Sequence, residues 1–232
     1  MNILASLSLL SFLDAVALAL LLMGLIGGGW LIEHPPTSRP SVTKIMSENR
    51  RAWMRVFVTR DPRIFDAQIM ASLRQGTSFF ASTCILAIGG VLALISNTEP
   101  LSGVAEDVAM LEVPVLIWQV KLAVVALLLT NGFLKFVWAN RVFGYCAVMM
   151  SAVPNDPKDP EAMRIAGQAA ELNIRAAINF NRGLRSLYFA LGALAWLIGA
   201  VPLMIATAFV VWTVLSREFA SIPRNILLGS NP

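Results

Sequence analysis

Three polar side chains fall inside one apolar stretch, where only intramembrane chemistry or helix pairing would need them. At about 100° per residue, Lys135 lies within about 40° of Lys121 around a helix, and Asn131 within about 80°. A charge facing lipid at mid-membrane costs on the order of 3 kcal/mol, so this stripe is expected to face a bundle interior or a wet cavity. Asp14, in a separate apolar stretch, offers a carboxylate within roughly a helical turn of Lys121 in depth. A buried Asp14–Lys121 ion pair is therefore expected, because pairing offsets much of the desolvation cost of each charge. Such a pair either sets which helix faces which or marks an ion or proton path, and both readings stay open. Lys135 is near enough to the membrane boundary for its ammonium to extend to the headgroups.

Other reactive side chains are sparse. Cys84 and Cys146 are far apart, make no C-x-x-C pair and read as small buried residues. The one histidine, His34, precedes Pro35-Pro36 and reads as an interfacial residue rather than a metal ligand. The patterns H-E-x-x-H, G-x-S-x-G and the Gly-Lys phosphate loop are absent. No catalytic residue, metal or cofactor is expected, and the chain is expected not to be an enzyme.

These residues must be held by apolar helices. With 57% hydrophobic and 14% charged residues and a mean hydropathy of +0.70, the chain reads as an integral membrane protein. A net charge of +4 spread over a membrane chain gives no basis for nucleic acid binding. Hydropathy places spans near 3–32, 77–95, 114–142 and 184–215. The predicted fold is all-α, a single domain over 1–232, with four transmembrane helices and two cytoplasmic amphipathic segments near 41–75 and 159–182.

Charge sorting gives the topology. The stretch from His34 to Gln75 holds Arg39, Lys44, Arg50, Arg51, Arg55, Arg60, Arg63 and Arg74, whereas 98–113 holds Glu99, Glu106, Asp107 and Glu112 and no cation. Lys and Arg favour the cytoplasmic side, which puts both termini outside. Arg217 and Arg224 in the tail run mildly against that arrangement. The fourth span, about 48 Å of helix, exceeds the roughly 30 Å of hydrocarbon and calls for tilt, a bend at Pro202 or a start inside the cytoplasm.

Helix starts and faces are legible too. Ser41 or Thr43 suits an N-cap for a helix running to about Val58, with Met46, Trp53 and Phe57 mostly opposite Arg50, Arg51 and Arg55. Asp61-Pro62 and Asp159-Pro160 are Asp-cap, Pro-first start signals. Gly24 and Gly28 on span one, and Ser78, Ser82 and Gly89 on span two, suit close helix contact. Asn181, Arg182 and Arg185 at the inner mouth of span four, together with Arg50, Arg51 and Arg55, suit either an anion or lipid headgroup, or hydrogen bonding between the cytoplasmic helices.

The order Arg50-Arg51-x-Trp53, Arg63-Ile64-x-Asp66, Ser78-Phe79-Phe80-Ala81-Ser82 with Gly89-Gly90, and Asn181-Arg182-Gly183-x-Arg185-x-x-Tyr188-Phe189 resembles the bacterial and plant membrane family DUF599. The resemblance implies about four spans and brings no assigned activity. Two functions follow as expectations. One is an oligomeric channel or transporter with the span-three stripe lining a path. The other is an accessory subunit that binds a partner complex or anionic lipid through its Arg-rich helices. Either places the chain in a bacterial inner membrane, in a homo-oligomer or a larger membrane complex.

Overall fold

The computed structural model describes residues 10–97 and 114–229. The acidic loop at 98–113, the start of the first span and the last three residues lie outside them. Seven α-helices are present among the described residues, and no strand: α1 (Phe12–Glu33), α2 (Val42–Thr59), α3 (Ile64–Ser96), α4 (Val115–Ser151), α5 (Pro160–Ala193), α6 (Ala200–Phe219) and α7 (Ile222–Leu227). Four stretches are long and apolar enough to cross a bilayer: Phe12–Glu33, Ile64–Ser96, Val115–Ser151 and Ala200–Leu227. The chain is a membrane protein.

Local chemistry sets the helix ends. The Ser11 hydroxyl accepts from the Asp14 N–H at 3.2 Å, while Asp14 Oδ2 accepts from the Ser11 N–H at 3.0 Å. This reciprocal cap satisfies orphan amides, so α1 begins at Phe12 and Asp14 sits in its first turn. The expected Ser41 cap is present: its hydroxyl accepts from the Lys44 N–H and donates to the Ile32 carbonyl at 2.7 Å. Asp159 Oδ1 accepts from the Glu161 N–H at 2.8 Å, and Pro160 opens α5 as expected. The other start signal fails. The Asp61-Pro62 peptide is cis and α3 begins at Ile64, with Arg63 fastened to the carbonyls of Val58, Val153 and Pro154.

The fourth span is not one helix over 184–215. α5 ends at Ala193, a 3-10 turn covers Leu194–Leu197, and α6 starts at Ala200. Gly199 between them has φ of 154°, a conformation open to glycine and strained for other residues. Pro202 follows in the first turn of α6, where its missing N–H leaves no bond unmade. A Cβ at Gly192 would lie 3.2 Å from Val210 and 3.9 Å from the Ala206 carbonyl, so α5 and α6 pair as an antiparallel hairpin.

By contacts the chain forms two compact units, with α3 to α6 each contributing to both. The first comprises Met1–Leu31, Cys84–Gly132 and Leu184–Ser216. Its core includes Ala17, Leu21, Val125, Phe189, Trp196 and Leu203. Gly24 belongs to this packing, since a Cβ there would fall 2.8 Å from Val211 and 3.1 Å from Phe189.

The second unit comprises Ile32–Thr83, Phe133–Gly183 and Arg217–Pro232. Its core sets Met54, Phe57, Met70 and Phe143 against Ala162, Ala166, Ala169 and Ala170, small residues that let α5 approach closely. Phe80, Phe136 and Phe180 cluster with ring centroids 5.4–5.6 Å apart, and Gly183 leaves room for Phe136. The tail also belongs here. Glu218 accepts from the Thr43 N–H and hydroxyl, both at 2.9 Å, and Arg224 donates to the Pro40 carbonyl at 3.0 Å. The reading that puts the tail across the bilayer from this Arg-rich segment meets these bonds, which join the two within one unit.

Candidate functional site

In the first unit three helical elements converge on Trp196. The 3-10 turn after α5 presents its indole, whose Nε1–H donates to Asp14 Oδ1 at 2.6 Å. The cap at the start of α1 holds that carboxylate in place, with the Ser11 hydroxyl donating at 2.7 Å. Lys121 of α4 is 8% exposed, and its ammonium lies 5.4 Å from the Trp118 ring centroid and 5.9 Å from that of Trp196. An ammonium over an indole face gains quadrupole attraction in place of water. Asp14 and Lys121 thus meet the same indole, one at its edge and one at its face. They do not join as an ion pair, although their charges attract through space. Trp196 had no part in the sequence reading; the Ser11-x-x-Asp14 cap was the signal that would have moved Asp14 to the helix start.

The rest of the predicted stripe divides. The Asn131 amide donates to the Ser186 hydroxyl at 2.5 Å, joining α4 to α5 in the first unit. Lys135 belongs to the second unit, is half-buried and makes no ion pair among the described residues. Arg185 is buried in the first unit, where its guanidinium packs over Gly29. Gly28 lines an apolar groove of about 400 Å³ between α1 and α6.

The second unit holds most of the arginines, and most of them are engaged internally. Asp66, fully buried, accepts at Oδ1 from Trp53 Nε1 and from Arg60, each at 2.6 Å. Arg51 pairs with Glu48 at 2.6 Å and Glu171 at 2.7 Å. The Glu171 bond is the main cause of the raised Arg51 pKa. Arg182 pairs with Glu33 at 2.5 Å, which lifts its pKa in the same way. Arg50 meets the side-chain oxygen of the fully buried Asn173 and no carboxylate, and burial pulls its pKa down. Asn181 donates to the Thr43 hydroxyl at 3.4 Å. Of the predicted headgroup residues, Arg55 alone is exposed with no ion pair among the described residues.

The small-residue face predicted for α3 is mostly turned outward. Ser82 and Gly89 are exposed, and a Cβ at Gly89 would meet nothing within 4 Å. The inward face carries Asp66, Met70, Thr77 and Cys84. Thr77 can face inward because its hydroxyl donates to the Leu73 carbonyl at 2.7 Å, leaving no polar group unpaired. Of the predicted face, Ser78 accepts from the Asn140 amide at 3.1 Å.

Among the described residues no three Cys, His, Asp or Glu side chains group as a metal site. A family model described as "Protein of unknown function, DUF599" matches residues 16–223. No curated protein and no solved structure matches the chain.

Proposed function

We propose, from the premise that this chain belongs to the DUF599 family and that the family description assigns no activity, that it is a non-conducting scaffold or accessory protein of the bacterial inner membrane. The observation that carries this reading is the enclosure of Lys121. An ammonium lining an ion path needs water or a mobile counter-ion, whereas Lys121 is buried between two indoles. Asp14 and Asn131 have fixed partners as well, which suits helix registry better than transport. Arg55 on α2 and Arg175 on α5, two of the exposed cations that make no ion pair among the described residues, would meet an acidic partner surface. A conducting homo-oligomer is the competing reading.

Purified protein in liposomes decides between them. Potassium and chloride fluxes are expected at background for both the wild type and Lys121→Ala. A wild-type flux above background that Lys121→Ala abolishes would sink the scaffold reading.

The same reading puts the amino terminus outside and the carboxyl terminus inside. The bonds from 39–43 to Glu218, Phe219 and Arg224 support it, since they set Arg217 and Arg224 with the other inner cations. This placement requires a fifth crossing beside the four long apolar stretches, made by α5 before the chain reverses into α6. A green fluorescent protein fused after Pro232 is expected to fluoresce, as it does only in the cytoplasm. A dark fusion whose alkaline phosphatase counterpart is active would reverse this topology.

A further inference from the structure

Arg74 on α3 and Arg141 on α4 are exposed in the second unit, and neither enters any ion pair among the described residues. Arg51, Arg60, Arg164 and Arg182 each end on a carboxylate. Arg74 reaches only the neutral side-chain oxygen of Asn140, at a long 3.5 Å. Arg141 donates to the Tyr145 hydroxyl at 2.5 Å and lies 5.8 Å from the centre of its ring. Asn140 ties the two helices together through its bond to Ser78. The Ser78 and Tyr145 hydroxyls act as acceptors in these bonds, so the proton of each is available to a further acceptor.

Position along the helices matters as much as charge. Arg74 lies 22 residues before Ser96, the end of α3, which is about 33 Å of helix and close to the hydrocarbon thickness. Arg141 stands on the same exposed stripe of α4 as Trp138 and Tyr145, 50% and 42% exposed, the aromatic pattern of a membrane–water boundary. Gly144, three residues from Arg141 and next to Tyr145, has open space where a Cβ would point. Two guanidinium groups without counter-ions, two free hydroxyl protons and room at headgroup depth match a phosphodiester oxyanion, which arginine binds bidentately.

We infer that Arg74, Ser78, Asn140, Arg141 and Tyr145 form a headgroup site for an anionic phospholipid of the inner leaflet. A zwitterionic lipid carries the same phosphate, but its ammonium would face two arginines, so net anionic lipid is preferred. Headgroup binding is independent of whether Lys121 meets water.

The test is thermal unfolding of the full chain in detergent, titrated with phosphatidylglycerol, phosphatidylcholine or inorganic phosphate. Phosphatidylglycerol is expected to raise the Tm, and the other two are not. In R74Q/R141Q the apparent affinity for phosphatidylglycerol should fall about tenfold or more, the loss of charge-assisted bonds. R55Q/R175Q, which removes two exposed arginines elsewhere, should keep the wild-type response. An unchanged response in R74Q/R141Q overturns the site, and an equal rise with phosphatidylcholine overturns the charge selection. A rise with inorganic phosphate alone overturns the lipid assignment. If the double variant does not fold, R74Q and R141Q are measured singly, each with the same expected direction; two wild-type responses would refute the site.

Discussion

Trp196→Ala should lose about 3–5 kcal/mol of stability, the range for deleting a buried Trp or Phe side chain. Trp196 is 1% exposed and among the largest fully buried side chains of the chain. Its removal leaves a cavity in the core of the first unit and takes two partners away at once. Asp14 keeps only its Ser11 bonds, and Lys121 keeps only Trp118. In lipid the apolar part of the loss comes from packing rather than from expelled water, because the tails are as apolar as the side chain. Trp196→Phe separates the terms. It retains most of the ring and removes the Nε1 donor, so it should cost about 1–2 kcal/mol. Unfolding by a denaturing detergent in mixed micelles gives both values. If Trp196→Ala unfolds at the wild-type midpoint, the indole does not organise the Asp14–Lys121 cluster.

Asp66→Ala has the second large effect, about 3 kcal/mol, the low end of the range for breaking a buried charged pair. The low end applies because the Arg60 side chain is 30% exposed and water partly re-solvates its guanidinium. The Trp53 Nε1–H has less recourse, being half-buried with Asp66 as its acceptor. Asp66 Oδ2 has no partner and is out of contact with solvent, so Asp66→Asn would place an unpaired amide there and should also destabilise, by about 1–3 kcal/mol. A cycle with Arg60→Ala isolates the pair: a coupling near zero would show that Asp66 acts through Trp53 alone.

Much of the helical framework was readable residue by residue. Ser41, Pro160 and the apolar lengths of α1, α3 and α4 follow local rules, and local rules act through neighbours in sequence. The break between α5 and α6 does not show in hydropathy, because 184–215 is apolar throughout. Its markers were Gly199 and Pro202, and Pro202 read alone implied a bend rather than a reversal. At the candidate site, polarity in an apolar stretch singled out Asp14 and Lys121 and brought them to one cluster. The indole between them comes from a position 182 residues from Asp14, which no spacing rule reaches. The arginines divide for the same reason. Whether Arg51 or Arg182 is available to a ligand depends on Glu171 and Glu33, which only the fold brings near.

The bonds between 39–43 and the end of α6 also order events in time. Thr43 leaves the ribosome 175 residues before Glu218, Arg39 precedes Phe219 by 180, and Pro40 precedes Arg224 by 184. At translation rates of about 5–20 residues per second, those early groups wait on the order of 10–35 s for their partners. Through that interval those groups are without these partners. Closure of the second unit is therefore a late step of synthesis, and a nascent chain stalled before Ser216 carries a second unit that is still unfinished.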